Sequence, residues 1–499
     1  MQLLFTDRAA PHAERVAITS SSRAFTYREL LDASARVAAA LLDGETDLQE
    51  ARVAFLAHPG FDYVAVQWGI WRAGGIAVPL AVSHPTRELA YVIDDCGATT
   101  IVVQPDLAAH VAAAVQERSI PLELTSDLLG YECEPADECD LDAERRAMIL
   151  YTSGTTGEPK GVVTTHGALQ SQITTLVSAW GWTPADRTLL TLPLHHVHGI
   201  VNVLSCALWV GAECKIIPQF DADRVWTSIR EDDLTVFMAV PTIYVKLIDA
   251  WERASRGLRA EMSRSAGHMR LMVSGSAALP RDVLERWKRI TGHVLLERYG
   301  MTEIGMALSN PLEGERVPGH VGFPLPDVEV RLVDESGSPA KPGCQGEIQV
   351  KGPGVFKEYW NRPKATAEAF VDGWFATGDI AVEEEGGYRI LGRNNVDMIK
   401  TGGYKVSALE IENVLQTHED IAECAVVGVA DREWGERVCV AIESSRQQHP
   451  SLEALRAWCK KRLAPYKIPT DLIRVEELPR NAMGKVMKPK VVEMFEKGP

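Results

Sequence analysis

Short apolar runs alternate with amphipathic stretches of helical period along most of this chain, and that alternation restricts it to layered α/β architecture. Val53-Ala-Phe-Leu56, Gly75-Ile-Ala-Val-Pro79 and Thr100-Ile-Val-Val103 read as buried parallel strands, separated by helical segments such as Tyr63 to Trp71. The first clear helix starts at Thr26, where Thr26-Tyr-Arg-Glu29 fits a capping box and Phe25 can staple onto Leu30. Leu30, Leu31, Val37, Ala38, Leu41 and Leu42 then share one buried face. Further strands are expected at Thr188 to Leu192, Val236 to Val240 and Met269 to Ser274.

The pattern changes twice. Between about residues 320 and 392, short strands with Gly, Pro and Asp turns predict a β-rich subdomain. From about Tyr404 the α/β alternation returns in a smaller block. A second capping box, Ser407-Ala-Leu-Glu410, opens a helix to about Gln416, strands follow near 422–429 and 438–443, and a helix runs over about 452–463. A chain of 499 residues exceeds one hydrophobic core, so two to four domains or subdomains are expected.

Composition excludes several classes of partner. A net charge of −16 argues against a general nucleic-acid or anionic-membrane surface. The nine cysteines are scattered without zinc spacing and read as free thiols. The longest uncharged stretch, Gly199 to Ala212, is short of the roughly 20 residues a bilayer span needs. The first residues lack the basic-then-apolar layout of a signal peptide, so a cytoplasmic location is expected.

Met148-Ile-Leu-Tyr151, a buried-strand pattern, runs directly into Thr152-Ser-Gly-Thr-Thr-Gly-Glu-Pro-Lys-Gly161. Gly154, Gly157 and Gly161 let backbone N–H groups turn inward, while Thr152, Ser153, Thr155 and Thr156 add hydroxyls and Lys160 a positive charge. Such a loop suits a polyphosphate. It is not a Walker A loop, because Pro159 replaces the second glycine and Gly161 follows the lysine.

With this loop stand Tyr299-Gly-Met-Thr-Glu303, Thr377-Gly-Asp379, Gly392-Arg393, Gly402-Gly-Tyr-Lys405 and Pro479-Arg-Asn-Ala-Met-Gly-Lys485, in order and at suitable spacing. Together they resemble the motifs of the adenylate-forming superfamily of acyl-CoA synthetases, luciferases and adenylation domains, over essentially the whole chain. The resemblance implies a large N-terminal domain over 1–393, a hinge at 394–397 and a small mobile α+β domain over 398–499. ATP, Mg²⁺ and coenzyme A are the implied cofactors and substrates, beside a small acid. Thr152 to Gly157, Lys160, Tyr299, Gly300, Met301, Asp379 and Arg393 would hold ATP, with Asp379 and Arg393 on the ribose. Thr302 and His195 are implied at the reaction centre, Glu303 on magnesium, and Lys485 between the acid carboxylate and the α-phosphate. Gly402, Gly403 and Tyr404 would approach the CoA tunnel. The segment Arg393 to Lys400 leaves the pivot at Asn395 or Asp397 open.

Three features bear on the acid. His195-His-Val-His198 puts a histidine where many relatives carry a pocket aromatic, and Arg298 follows a buried-strand pattern at Leu295-Leu296. Glu297 points to the opposite strand face, so Arg298 needs another partner, for which a substrate carboxylate serves. Ser276 lies beside a glycine-kinked strand end. With Met306, these residues resemble the malonyl-CoA synthetase branch, which implies malonate, and methylmalonate second. Lys246 stands where the bacterial branch has an arginine, so selectivity is expected to differ. A short-chain or aryl acyl-CoA ligase, an acyl-AMP ligase loading a carrier protein, and an inactive nucleotide sensor are the competing readings.

Overall fold

The computed structural model describes residues 4–20, 23–116, 118–132, 139, 141–152, 158–394, 396–402, 404–444, 450–480 and 486–496. Among the described residues four sheets form, two large and two small.

The largest has nine strands, in the order Phe323–Pro324, Gly305–Ser309, Leu296–Met301, Leu271–Ser274, Val236–Ala239, Arg187–Leu190, Glu213–Ile216, Val16–Ser20 and Arg23–Thr26. The six from Leu296–Met301 to Val16–Ser20 run parallel. A seven-stranded sheet runs from Glu358–Tyr359 through Lys160–Thr165, Arg146–Thr152, Ile76–Pro79, Arg52–Leu56 and Thr100–Val103 to Leu122–Leu124. Its central strands Ile76–Pro79, Arg52–Leu56 and Thr100–Val103 are buried on both faces, as continuous apolar runs require. Along Arg52–Leu56, Val53 and Phe55 enter the main core shared with the nine-stranded sheet, while Ala54 and Leu56 enter a second core on the other face.

The helix expected at Thr26 spans Tyr27–Leu42 and has its full capping box, with Thr26 Oγ1 accepting from the Glu29 amide and Glu29 from the Thr26 amide. Phe25 stacks on Phe61 at 4.1 Å. The uncharged stretch expected from Gly199 lies in a helix bonded i→i+5 over His198–Ser205, continued as Cys206–Trp209. Such helices are rare and concentrate at functional sites, and periodicity in the sequence does not announce them. No helix among the described residues is long and apolar enough to cross a membrane.

The β-rich region forms a sheet of Glu329–Val333, Gly346–Lys351, Trp374–Glu384, Phe370–Val371 and Gly387–Arg393. Glu358–Tyr359 leaves this region to pair with Lys160–Thr165, tying it to the seven-stranded sheet. The last sheet holds Tyr404–Ser407, Met398–Thr401, Gly435–Ser444, Ile421–Asp431 and Asp471–Val475. Ile411, Leu415, Leu455 and Cys459 pack on one face of it, and Val491 and Phe495 of the helix Lys488–Glu496 on the other.

Candidate active site

Ser276 and Arg298 lie at the carboxyl ends of neighbouring parallel strands, Leu271–Ser274 and Leu296–Met301, where an open α/β sheet leaves a crevice. Thr152 and Lys160 are cross-strand partners at the mouth of a hairpin. Ser153, Gly154, Thr155, Thr156 and Gly157, between them, lie outside the described residues. The Lys160 ammonium sits 4.9 Å from the centre of the Tyr359 ring. The Tyr359 hydroxyl donates to Glu303 Oε1 at 2.9 Å, so one tyrosine joins Lys160 to the glutamate of the Tyr299-Gly-Met-Thr-Glu motif. Glu303 is buried, which raises its pKa. Tyr359 was not legible in the sequence, since it lies on a two-residue strand with no local motif.

Asp379 and Arg393 face each other across adjacent antiparallel strands and form an ion pair at 3.2 Å. The Tyr299 hydroxyl donates to the other oxygen, Asp379 Oδ2, at 2.6 Å. Strand pairing thus assembles from three separate motifs a carboxylate of fixed orientation beside a fixed guanidinium. Gly300 follows Tyr299 at an irregularity in the pairing with Gly305–Ser309, and a Cβ there would lie 2.0 Å from the Gly305 carbonyl oxygen. Met306, its cross-strand partner, is buried, and Met301 and Thr302 are half-buried at the following turn.

A polar cluster forms where the strand ends Leu271–Ser274 and Leu296–Met301 meet the start of the helix His198–Ser205. Arg298 is 4% exposed, and a guanidinium nitrogen donates to Ser276 Oγ at 3.3 Å. Ser276 Oγ is also 3.2 Å from His198 Nδ1. No carboxylate among the described residues pairs with Arg298, whose Nε is left without a partner, as is His198 Nε2. Burial lowers the Arg298 pKa to about 9 and pushes His198 well below the usual histidine range. At neutral pH the pair is therefore one buried positive charge beside a neutral imidazole. Glu297 turns to the other strand face and accepts from the Gly319 amide at 2.8 Å, as alternation requires.

Ser276 reaches this cluster at a backbone φ of +69°, a strained conformation for serine. Gly275 is held to glycine by the arginine, because a Cβ there would come within 2.5 Å of the guanidinium carbon. Asn202, fully buried on the i→i+5 helix four residues beyond His198, has neither amide atom partnered among the described residues. The sequence offered no signal for it, since a lone asparagine in an apolar run reads as core.

His195 packs against His196 and His84, with ring centres 4.2 and 5.6 Å away. Burial first, then the neighbouring histidines, lower its pKa to about 2, so it stands neutral. Lys246 does not join the cluster of Arg298, Ser276 and His198. It is exposed on the helix Pro241–Arg253 with its ammonium 5.7 Å from the Phe220 ring centre. Gly402 and Tyr404 lie on the last sheet's hairpin, where Tyr404 is exposed and stacks on Tyr466 at 4.2 Å. Gly403, Asn395 and Lys485 lie outside the described residues.

The donor set around Glu303 fits magnesium, which takes one or two carboxylates and completes its shell with phosphate oxygens and water. No group of three or more His, Cys, Asp or Glu among the described residues forms a metal cage of its own.

Residues 5–360 match the AMP-binding enzyme family, and residues 410–485 match the AMP-binding enzyme C-terminal domain. The mitochondrial malonate–CoA ligase ACSF3 of Homo sapiens is 45% identical over 98% of this chain and 91% of its own length. The malonate–CoA ligase of Arabidopsis thaliana is 40% identical over 98% of this chain and 87% of its own. Among solved structures, ATP-bound MatB from Rhodopseudomonas palustris superposes with a TM-score of 0.90 at 34% identity, covering 99% of both chains. The expected cytoplasmic location gains no support here, since the human relative is named as mitochondrial.

Proposed function

Since this chain belongs to the AMP-binding enzyme family, we propose that the acid it joins to coenzyme A is malonate, with methylmalonate as second substrate. The coarser activity is that of an ATP-dependent, AMP-forming acid–CoA ligase. The observation that carries the choice of acid is Arg298, a buried cation with no acidic partner among the described residues. Leaving such a charge uncompensated is costly, and a dicarboxylate's distal group supplies the missing partner. A monocarboxylate leaves it unpaired.

A carboxylate resists thiol attack because its charge repels the nucleophile and oxide is a poor leaving group. In the first half-reaction the acid's proximal carboxylate attacks the α-phosphate and pyrophosphate departs. In the second, the thiol attacks the acyl carbonyl and AMP departs. Each side chain has a task in holding these groups in line. Asp379, oriented by Tyr299, accepts from the ribose hydroxyls, and Arg393 braces it. Glu303 would hold the magnesium ion, which neutralises phosphate charge when bound. Lys160 adds a fixed cation at the loop mouth, and Lys485 is proposed to bridge carboxylate and α-phosphate. Arg298, Ser276 and His198 hold the distal carboxylate, turning the proximal one toward the nucleotide. Gly402, Gly403 and Tyr404 are proposed to meet the pantetheine arm once the domain beyond 397 has turned about its hinge.

An acid panel with ATP and CoA tests the reading. Malonate should give the highest kcat/KM for thioester formation. Acetate, butyrate or coumarate outperforming it would remove malonate as the substrate.

A further inference from the structure

Where the β-rich region passes into the last sheet, three charged side chains are buried together. The Lys488 ammonium, at the start of the helix Lys488–Glu496, lies 2.6 Å from Asp397 Oδ1 and 2.8 Å from Glu412 Oε1. All three are nearly excluded from solvent. The second Asp397 oxygen accepts from the Arg393 amide at 3.0 Å, while the Asp397 amide donates back to the Arg393 carbonyl at 2.8 Å. The turn is tight, because a Cβ on Gly392 would come within 2.4 Å of Asp397 Cβ. The Asp397 carbonyl also accepts from Ala408, the first residue of the helix that carries Glu412.

From Arg393 the chain of contacts continues through its side chain to Asp379 and from there to the Tyr299 hydroxyl. One continuous series therefore runs from the final helix to the proposed ribose-binding carboxylate: Lys488, Asp397, Arg393, Asp379, Tyr299. Buried ion clusters carry a desolvation cost that an apolar replacement avoids, so stability alone gives weak reason for one here.

We infer that Lys488 is a positioning residue for nucleotide handling: it holds the Asp397 carboxylate against the Arg393 peptide and so fixes Arg393 opposite Asp379. The inference rests on Asp379 and Arg393 binding the ribose. It also gives Asp397 a fixed role in the turn after Arg393. Glu412 completes the cluster by holding the ammonium from the second side.

The test is malonate-dependent ATP–pyrophosphate exchange with Lys488→Met, Lys488→Arg, Asp397→Asn and the double variant, beside thermal melting of each. Lys488→Met should raise the KM for ATP about tenfold, the scale of one lost buried ion-pair contact, with a smaller change in kcat. Lys488→Arg should recover most of it, and the double variant should be no worse than the worse single, because both act along one series. A melting temperature that falls in Lys488→Met with an unchanged KM for ATP would make the cluster purely structural and overturn the inference. Additive KM effects in the double variant would overturn it too. Should Lys488→Met not fold, Lys488→Arg and Asp397→Asn, which keeps the Lys488–Glu412 pair, carry the same test. Asp379→Ala separates the two readings: if it leaves the KM for ATP unchanged, the ribose assignment fails, whatever Lys488 does.

Discussion

Arg298 donates to the Ser276 hydroxyl at 3.3 Å and to no carboxylate among the described residues, although only 4% of it reaches solvent. Replacing it separates stability from activity. Arg298→Met keeps the volume and removes an unpaired buried charge, so the variant should melt higher than the parent. Its kcat/KM for malonate should fall about a hundredfold to a thousandfold, the cost of leaving the substrate's distal carboxylate unpaired. Butyrate should be used as well as before or better. Equal losses for both acids would place the arginine's role elsewhere.

Ser276 combines a strained φ of +69° with a hydroxyl that touches both Arg298 and His198. Glycine adopts that backbone freely, while alanine does not. Ser276→Gly should therefore stabilise by about 1 kcal/mol and Ser276→Ala should not, although both raise the KM for malonate about tenfold. Denaturant midpoints and malonate titrations on the two variants check this. A malonate KM preserved in both would show that the hydroxyl is not part of the acid pocket.

The Tyr299 hydroxyl fixes Asp379 at 2.6 Å. Tyr299→Phe leaves that carboxylate free to turn away from the ribose. The KM for ATP should rise about fivefold to tenfold while the KM for malonate holds. Initial rates with each substrate varied in turn measure the split, and a change confined to malonate would contradict the assignment.

The layered fold was readable because its cause is local. Strands such as Val236–Ala239 and Ile76–Pro79 are continuous apolar runs, and the capping box at Thr26 marks its helix start. The Asp379–Arg393 pairing was suggested only by resemblance, since the two meet through the register of neighbouring antiparallel strands, shifted by an irregularity between Ile380 and Ala381 that no local pattern marks. Arg298 and Glu297 could be sorted from sequence because strand alternation sends neighbours to opposite faces. Nothing local marked Tyr359, Asn202 or Lys488. Each acts through a partner more than 50 residues away, or through a helix bonded i→i+5 whose period differs from the one a pattern search assumes. Lys246 was suggested by its motif alone, and its side chain is exposed with the ammonium over Phe220.

Glu297 gives a prediction about pH. Burial raises its pKa from 4.5 to about 7, against the opposing Gly319 hydrogen bond. Between those two values the folded protein holds a proton that the unfolded chain has released, so stability falls as pH rises through this window. The group's contribution is complete below pH 4.5 and lost above pH 7, where the buried carboxylate costs about 3 kcal/mol relative to its protonated form. Glu297→Gln is neutral throughout and still accepts from Gly319. It should match the parent near pH 5 and exceed it at pH 8. Urea midpoints for both proteins at pH 5, 6.5 and 8 decide the matter, and parallel profiles would show that Glu297 is ionised across the range.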